Sequence, residues 1–311
     1  GQDTLLLSDS LVLSRSLLWS LPLMEQLWQR LTPRANAESS PAARRLADDA
    51  KRVASKLPLS FVRPMLTAAG GAERCRFEVG NQVYAVATFV DPATGEPRVA
   101  CGSGDQVSGK VHIYDPVAGG VALVVIDVGS WVEALAVFKD PATGEQRLAC
   151  GCGKKVLIFD PVAGGEALLV IDVDTGALEV FADPTTGEPR LACASEKKVL
   201  VFDPVAGGEA LLVLEVGDYV SALAVFTDPA TGAPRLACAS GEKVVVFDPV
   251  VGGDALLVLD IGSYVGALAS FTDPATGAPR LVTDDGKVFD PVVGGEALLV
   301  LDAVSEVWAL A

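Results

Sequence analysis

One pattern constrains this chain more than any other. The pentad Asp-Pro-Val-x-Gly starts at Asp115, Asp160, Asp203, Asp248 and Asp290, at intervals of 42 to 45 residues. A second marker, Asp-Pro-x-Thr-Gly, starts at Asp91, Asp140, Asp183, Asp228 and Asp273. Near-copies of residues 209–250 therefore fill the chain from about Cys75 to its last residue. A fixed period of this length marks a repeat architecture in which each repeat is one supersecondary unit.

Each unit divides into four short apolar runs. In the unit around 209–250 they are Glu209–Glu215, Tyr219–Phe226, Pro234–Ser240 and Lys243–Val250, rich in Val, Leu, Ala and Phe. The separators are turn chemistry: Pro presets φ, Gly supplies φ > 0, and Asp bonds its own backbone. Runs of this length between turns are strands rather than typical helices. They are apolar on both pleat faces, which implies sheets covered on both sides. Four antiparallel strands per repeat describe a propeller blade. The run Val220, Ala222, Ala224, Phe226 carries small side chains on one face, which suits the crowded innermost strand.

On these residues the chain resembles the WD-repeat (WD40) β-propeller family, over about 75–311. Tyr114-Asp115, Phe202-Asp203 and Phe247-Asp248 stand where that family has its Trp-Asp. Leu-Glu-Val-Gly at 214–217 stands where it has a Gly-His turn. The only histidine, His112, falls on a strand, so the family's His–Ser/Thr–Asp–Trp network is not expected in any blade. Its turn aspartate survives only at Asp284 or Asp285. The resemblance implies degenerate blades held by apolar packing, and a scaffold that binds other proteins.

The expected fold is all-β: a WD40-like β-propeller of at least five four-stranded blades over 72–311, preceded by an α-helical extension and linker over 1–71. Blade 1 runs through Ile126, with an enlarged turn at Gly102–Gly109; Cys75–Val79 aligns with an outer strand before it. Blades 2 to 5 cover about 131–172, 177–215, 219–260 and 264–302. Val307–Ala311 then repeats the start of an inner strand. Propellers commonly complete the last blade with strands from both termini. Here two strands of that blade are wanting, so either the chain continues or the ring is open and something covers its edges. The first residue is Gly1 rather than Met, which points to processing or to part of a gene product.

The extension differs in kind. Leu7, Leu11, Leu18, Leu21, Met24, Trp28 and Leu31 recur at helical spacing, with Trp19 beside them. Pro22 should kink this helix. Arg15, Glu25 and Arg30 interrupt the apolar run, against a membrane span. Three uses are open: packing on the propeller or a partner helix, lying in a membrane plane, or targeting. Ser40-Pro41 starts a second helix to about Leu57, with Arg44, Arg45, Asp48, Lys51 and Arg52 on its polar face.

A net charge of −16 argues against a nucleic-acid partner and favours basic protein surfaces. Because strands alternate in direction, both Asp-Pro turns of a blade lie on one face. That face is expected to be acidic, offset in part by Arg98, Arg147, Arg190, Arg235 and Arg280. The opposite face carries one lysine per blade, Lys110, Lys155, Lys198, Lys243 and Lys287, and is expected to be mildly basic. Partner contact is expected through these lysines and through Leu11, Leu18, Trp19, Met24 and Trp28.

Of six cysteines, Cys101, Cys150, Cys193 and Cys238 share one repeated strand position, too far apart for disulfides. They read as small core thiols in an intracellular, reducing compartment, cytoplasmic or organellar. Cys150-Gly-Cys152 lacks further metal ligands. No nucleophile motif, phosphate loop or His-rich metal motif is present. The expectation is a noncatalytic scaffold or accessory subunit of a larger assembly, with no cofactor or metal and the extension as tether. The alternatives are a peripheral subunit of an organellar membrane complex, touching lipid or membrane protein through the N-terminal helix, and a propeller that binds a small ligand or acts as an enzyme.

Overall fold

The computed structural model describes residues 76–105 and 108–301. The expected helices of the extension, its binding residues Leu11, Leu18, Trp19, Met24 and Trp28, and Val307–Ala311 lie outside them.

Twenty strands form five antiparallel sheets of four, each a meander. The first holds β1 (Val83–Val90), β2 (Pro97–Gly104), β3 (Gly109–Tyr114) and β4 (Val124–Asp127). The second holds β5 (Ala134–Lys139), β6 (Gln146–Cys152), β7 (Lys155–Phe159) and β8 (Leu169–Ile171). The third holds β9 (Ala177–Ala182), β10 (Pro189–Ser195), β11 (Lys198–Phe202) and β12 (Leu212–Glu215). The fourth holds β13 (Val220–Thr227), β14 (Pro234–Ser240), β15 (Lys243–Phe247) and β16 (Leu257–Asp260). The fifth holds β17 (Leu268–Thr272), β18 (Pro279–Thr283), β19 (Lys287–Phe289) and β20 (Leu299–Val300). Successive sheets pack through their first strands, β1 on β5, β5 on β9, β9 on β13 and β13 on β17. This is the arrangement of propeller blades.

The seams between blades are mainly apolar and repeat one recipe. On the third blade, Phe181, Ala192, Ala194 and Val201 face Leu223, Leu236, Cys238 and Phe247 of the fourth. Leu191 and Ala192 are neighbours on opposite faces of β10, and both are fully buried. The same holds for Leu236 and Ala237 on β14. Burying both faces is why these strands show no polar alternation. Each buried Leu or Phe contributes about 1.5–3 kcal/mol, so the seams carry most of the stability.

Turns follow the sequence closely. In every blade the first glycine of the Gly-Gly pair has positive φ, and its N–H closes a turn onto the Asp of Asp-Pro-Val, as Gly207 does with Asp203 at 2.9 Å. A side chain there would also strike the preceding blade, since a Cβ on Gly207 meets Leu169 at 2.8 Å. Among the described residues Glu196 is the one non-glycine residue with positive φ, at 53°, in a turn where the second and fourth blades have Gly153 and Gly241.

Among the described residues no sheet covers the two ends of the series. Phe271 is 43% exposed where Phe226 is 6%, and Leu301 is 49% exposed where Leu259 is 2%. At the other end Val86 is 53% exposed where Leu223 is 6%. The outer strand expected at Cys75–Val79 is corrected over its described part: residues 76–79 form no ladder, because among the described residues no strand lies beside them to pair with. Phe77 instead stacks on Tyr114 with centroids 4.3 Å apart, and Tyr114 Oη donates to Glu78 O at 3.1 Å.

Candidate interaction surfaces

On one face of the blades the two Asp-Pro turns of each sheet are tied together by an arginine. In the fourth blade Arg235 Nη1 donates to Asp248 Oδ2 at 2.8 Å and Nη2 to Asp228 Oδ2 at 3.2 Å. Asp248 Oδ1 accepts the N–H groups of Val250 and Val251, both at 2.9 Å, and Asp228 Oδ1 that of Ala230 at 2.9 Å. One oxygen of each carboxylate shapes its turn while the other holds the arginine. The same clamp joins Arg98 to Asp91 and Asp115, Arg147 to Asp140 and Asp160, and Arg190 to Asp183 and Asp203. Arg280 bridges Asp273 and Asp290. The N–H groups of Ala118 and Val117, followed by Arg98, hold the Asp115 carboxyl below its ordinary range. Glu145 and Glu188 add a third, exposed carboxylate, at 2.8 and 3.1 Å from Arg147 and Arg190. The fourth and fifth blades have Ala233 and Ala278 at that place.

The lysines Lys110, Lys155, Lys198, Lys243 and Lys287 lie at one repeated position, near or at the start of the third strand of each blade. They do not make a free basic ring. Strand register sets Asp127 opposite Lys110, Glu215 opposite Lys198 and Asp260 opposite Lys243. Lys198 Nζ reaches Glu215 Oε1 at 2.8 Å and Lys287 Nζ reaches Asp285 Oδ2 at 2.9 Å. At Lys110, Lys198 and Lys243 the expected mildly basic face is offset by carboxylates that the outermost strands bring alongside, and at Lys287 by Asp285 of the preceding turn.

The fifth blade carries a polar cluster the others lack. Asp285 accepts hydroxyl hydrogen bonds from Ser263 and Thr283, both at 2.6 Å, beside Lys287. Burial opposes its charge, but the hydrogen bonds from Lys287, Ser263 and Thr283 hold its pKa down at about 2. The sequence singled out Asp285 but not the hydroxyls that close on it.

Cys101, Cys150, Cys152, Cys193 and Cys238 are free and buried, and burial raises the pKa of each thiol. His112 faces the uncovered end of the first blade, with its pKa lowered by burial and then by Lys110. Among the described residues no group of three His, Cys, Asp or Glu is placed to hold a metal ion. Equivalent clefts of about 230 and 150 Å³ open between blades, one over Phe138, Arg147 and Leu168, the other over Phe181, Arg190 and Leu211. Their arginines are already engaged by the clamps. Glu179, which the repeat pattern did not single out, stands on the innermost strand β9 where Ala136 and Ala224 stand on β5 and β13. Burial pushes its carboxyl up to about 7.

No family model matches the sequence, and no curated protein matches it significantly. Solved structures do match its fold. One is a crystal structure of BBS1N in complex with ARL6DN soaked with lead, at TM-score 0.54 and 14% identity, covering 74% of this chain and 69% of that one. Another is the same complex soaked with mercury, at TM-score 0.55 and 13% identity, covering 74% and 72%. At such identity the likeness establishes a β-propeller arrangement and nothing finer.

Proposed function

We propose that this chain is a noncatalytic scaffold or accessory subunit that binds other proteins within a larger assembly, through a degenerate WD-repeat-like propeller over 72–311. The observation that carries this reading is how its charges are used. Each clamp arginine is engaged by carboxylates of its own blade, so the buried polar groups serve the fold and the rims are left for contact. The likeness to BBS1N supports it, since that propeller was crystallised with a protein partner. In this reading residues 1–71 act as a tether, and the buried free thiols fit an intracellular, reducing compartment.

The test is co-purification of the tagged full chain from its native source beside a chain lacking residues 1–60. A discrete set of stoichiometric partners, lost on deletion while the circular dichroism of the blades is unchanged, is expected. Recovery of the full chain alone would refute the scaffold; partners retained after deletion would refute the tether.

A further inference from the structure

The outermost strands of the second, third and fourth blades carry an outward stripe with a fixed chemistry. On the second blade it reads Glu166, Leu168, Val170, Asp172, every one exposed, while Leu169 and Ile171 between them turn inward. On the third blade Glu209, Leu211, Val213 and Glu215 repeat it, and on the fourth Asp254, Leu256, Val258 and Asp260 do. The Leu and Val of these stripes are between 46% and 59% exposed in all three blades. Alternation within a two-sided apolar sheet is the signature of a strand half out of the core.

These strands are also sheet edges. β8, β12 and β16 each pair on one side only, with β7, β11 and β15. Among the described residues no strand lies beyond their outer backbone groups. An apolar edge of this kind is a template for one more strand. The flanking carboxylates decide which strand is accepted. Another copy of the same edge would set carboxylate against carboxylate, which disfavours self-pairing. A strand with basic residues at both ends and apolar ones between would pair charge with charge and Leu with Val. The whole surface favours such a partner: residues 77–301 carry 31 carboxylates against 13 lysines and arginines, a net −18.

We infer that the blade edges are docking sites for extended segments of partner proteins with the pattern basic-x-apolar-x-apolar-x-basic, added as a fifth strand. This rests on the scaffold reading and names the surface it would use. The repeat makes the site multivalent, so a partner with several such segments would gain avidity from one molecule.

The probe is a soluble heptapeptide, Lys-Thr-Val-Thr-Leu-Thr-Lys, against its counterpart with Glu at both ends, added to the full chain. Amide hydrogen exchange reports on 166–172, 209–215 and 254–260. The basic peptide is expected to protect these three segments and to bind about tenfold more tightly than the acidic one, with the difference shrinking as salt rises. Val170→Lys should abolish protection of 166–172 while leaving 209–215 protected, which also shows that the fold is intact. The double variant Glu166→Lys with Asp172→Lys should make 166–172 prefer the acidic peptide. Equal protection by both peptides, protection confined to other segments, or no protection at millimolar peptide would overturn the proposal. Partners that still co-purify when the peptide fails would leave the scaffold reading standing and remove only this surface.

Discussion

Glu179 offers a sharp quantitative test, because its four siblings on the innermost strands are alanines: Ala87, Ala136, Ala224 and Ala269. Its pKa rises from 4.5 to about 7, chiefly through burial and with little opposition from the Val180 N–H. Among the described residues no cationic side chain is paired with it. Between those two values the folded chain holds a proton that the unfolded chain has released. Stability must therefore fall as pH rises through the window from 4.5 to 7 and level off above it. Full displacement corresponds to at most about 3 kcal/mol. Glu179→Gln removes the ionisation and leaves every other carboxylate in place. Urea unfolding of both proteins, followed by tryptophan fluorescence at pH 4.5, 6, 7 and 8, gives the comparison. The variant's advantage should be smallest at pH 4.5 and grow to about 2–3 kcal/mol at pH 8. A difference that stays constant with pH, or one that shrinks as pH rises, would refute the assignment of a half-buried, proton-holding carboxyl to this strand.

Three further outcomes follow from the geometry. Phe226→Ala should cost about 3–4 kcal/mol in denaturant unfolding, whereas Phe271→Ala at the uncovered end should cost under about 1 kcal/mol. Equal losses would show that something covers the fifth blade. Glu196→Gly should raise stability by about 1 kcal/mol, because glycine adopts the positive φ of that turn without the steric cost. Arg235→Met leaves Asp228 and Asp248 facing each other without a cation, so it should lower the melting temperature more than Lys198→Met, whose pair is exposed. That excess should be present above the ordinary Asp pKa of 3.8 and shrink as pH falls through the lowered pKa of Asp228, whose carboxylate then takes up a proton.

The repeat made most of this fold legible. Pro, Gly and Asp mark the turns by backbone chemistry alone, so Pro234–Ser240 came out as expected and Lys243–Phe247 ended three residues early, at the Asp-Pro turn. The arginine's proximity to acidic turns could be read from spacing, but its bridging of two turns could not, because the second carboxylate lies 10 to 17 residues away and depends on register. The carboxylates beside the lysines escape a sequence reading for the same reason. Asp127, Glu215 and Asp260 are far from those lysines in sequence and opposite them across a ladder. Cys75–Val79 matched an outer strand in pattern, yet pattern cannot supply the neighbour that a strand needs. The apolar stripes at the blade edges were read as core, because an alternating exposure is invisible where both faces are written in Val and Leu. Glu179 was passed over as one acidic letter among many; only its place on the innermost strand sets it apart.

Every clamp closes within a single sheet: the arginine and both of its aspartates belong to one copy of the motif. What passes between copies is mainly apolar contact with a few neutral hydrogen bonds, such as Ser270 Oγ to Val225 O, and no clamp arginine relies on a neighbouring copy to be neutralised. A gene that gains or loses one such unit by recombination therefore strands no ion, and the ancestral module could multiply without first inventing a compensating mutation.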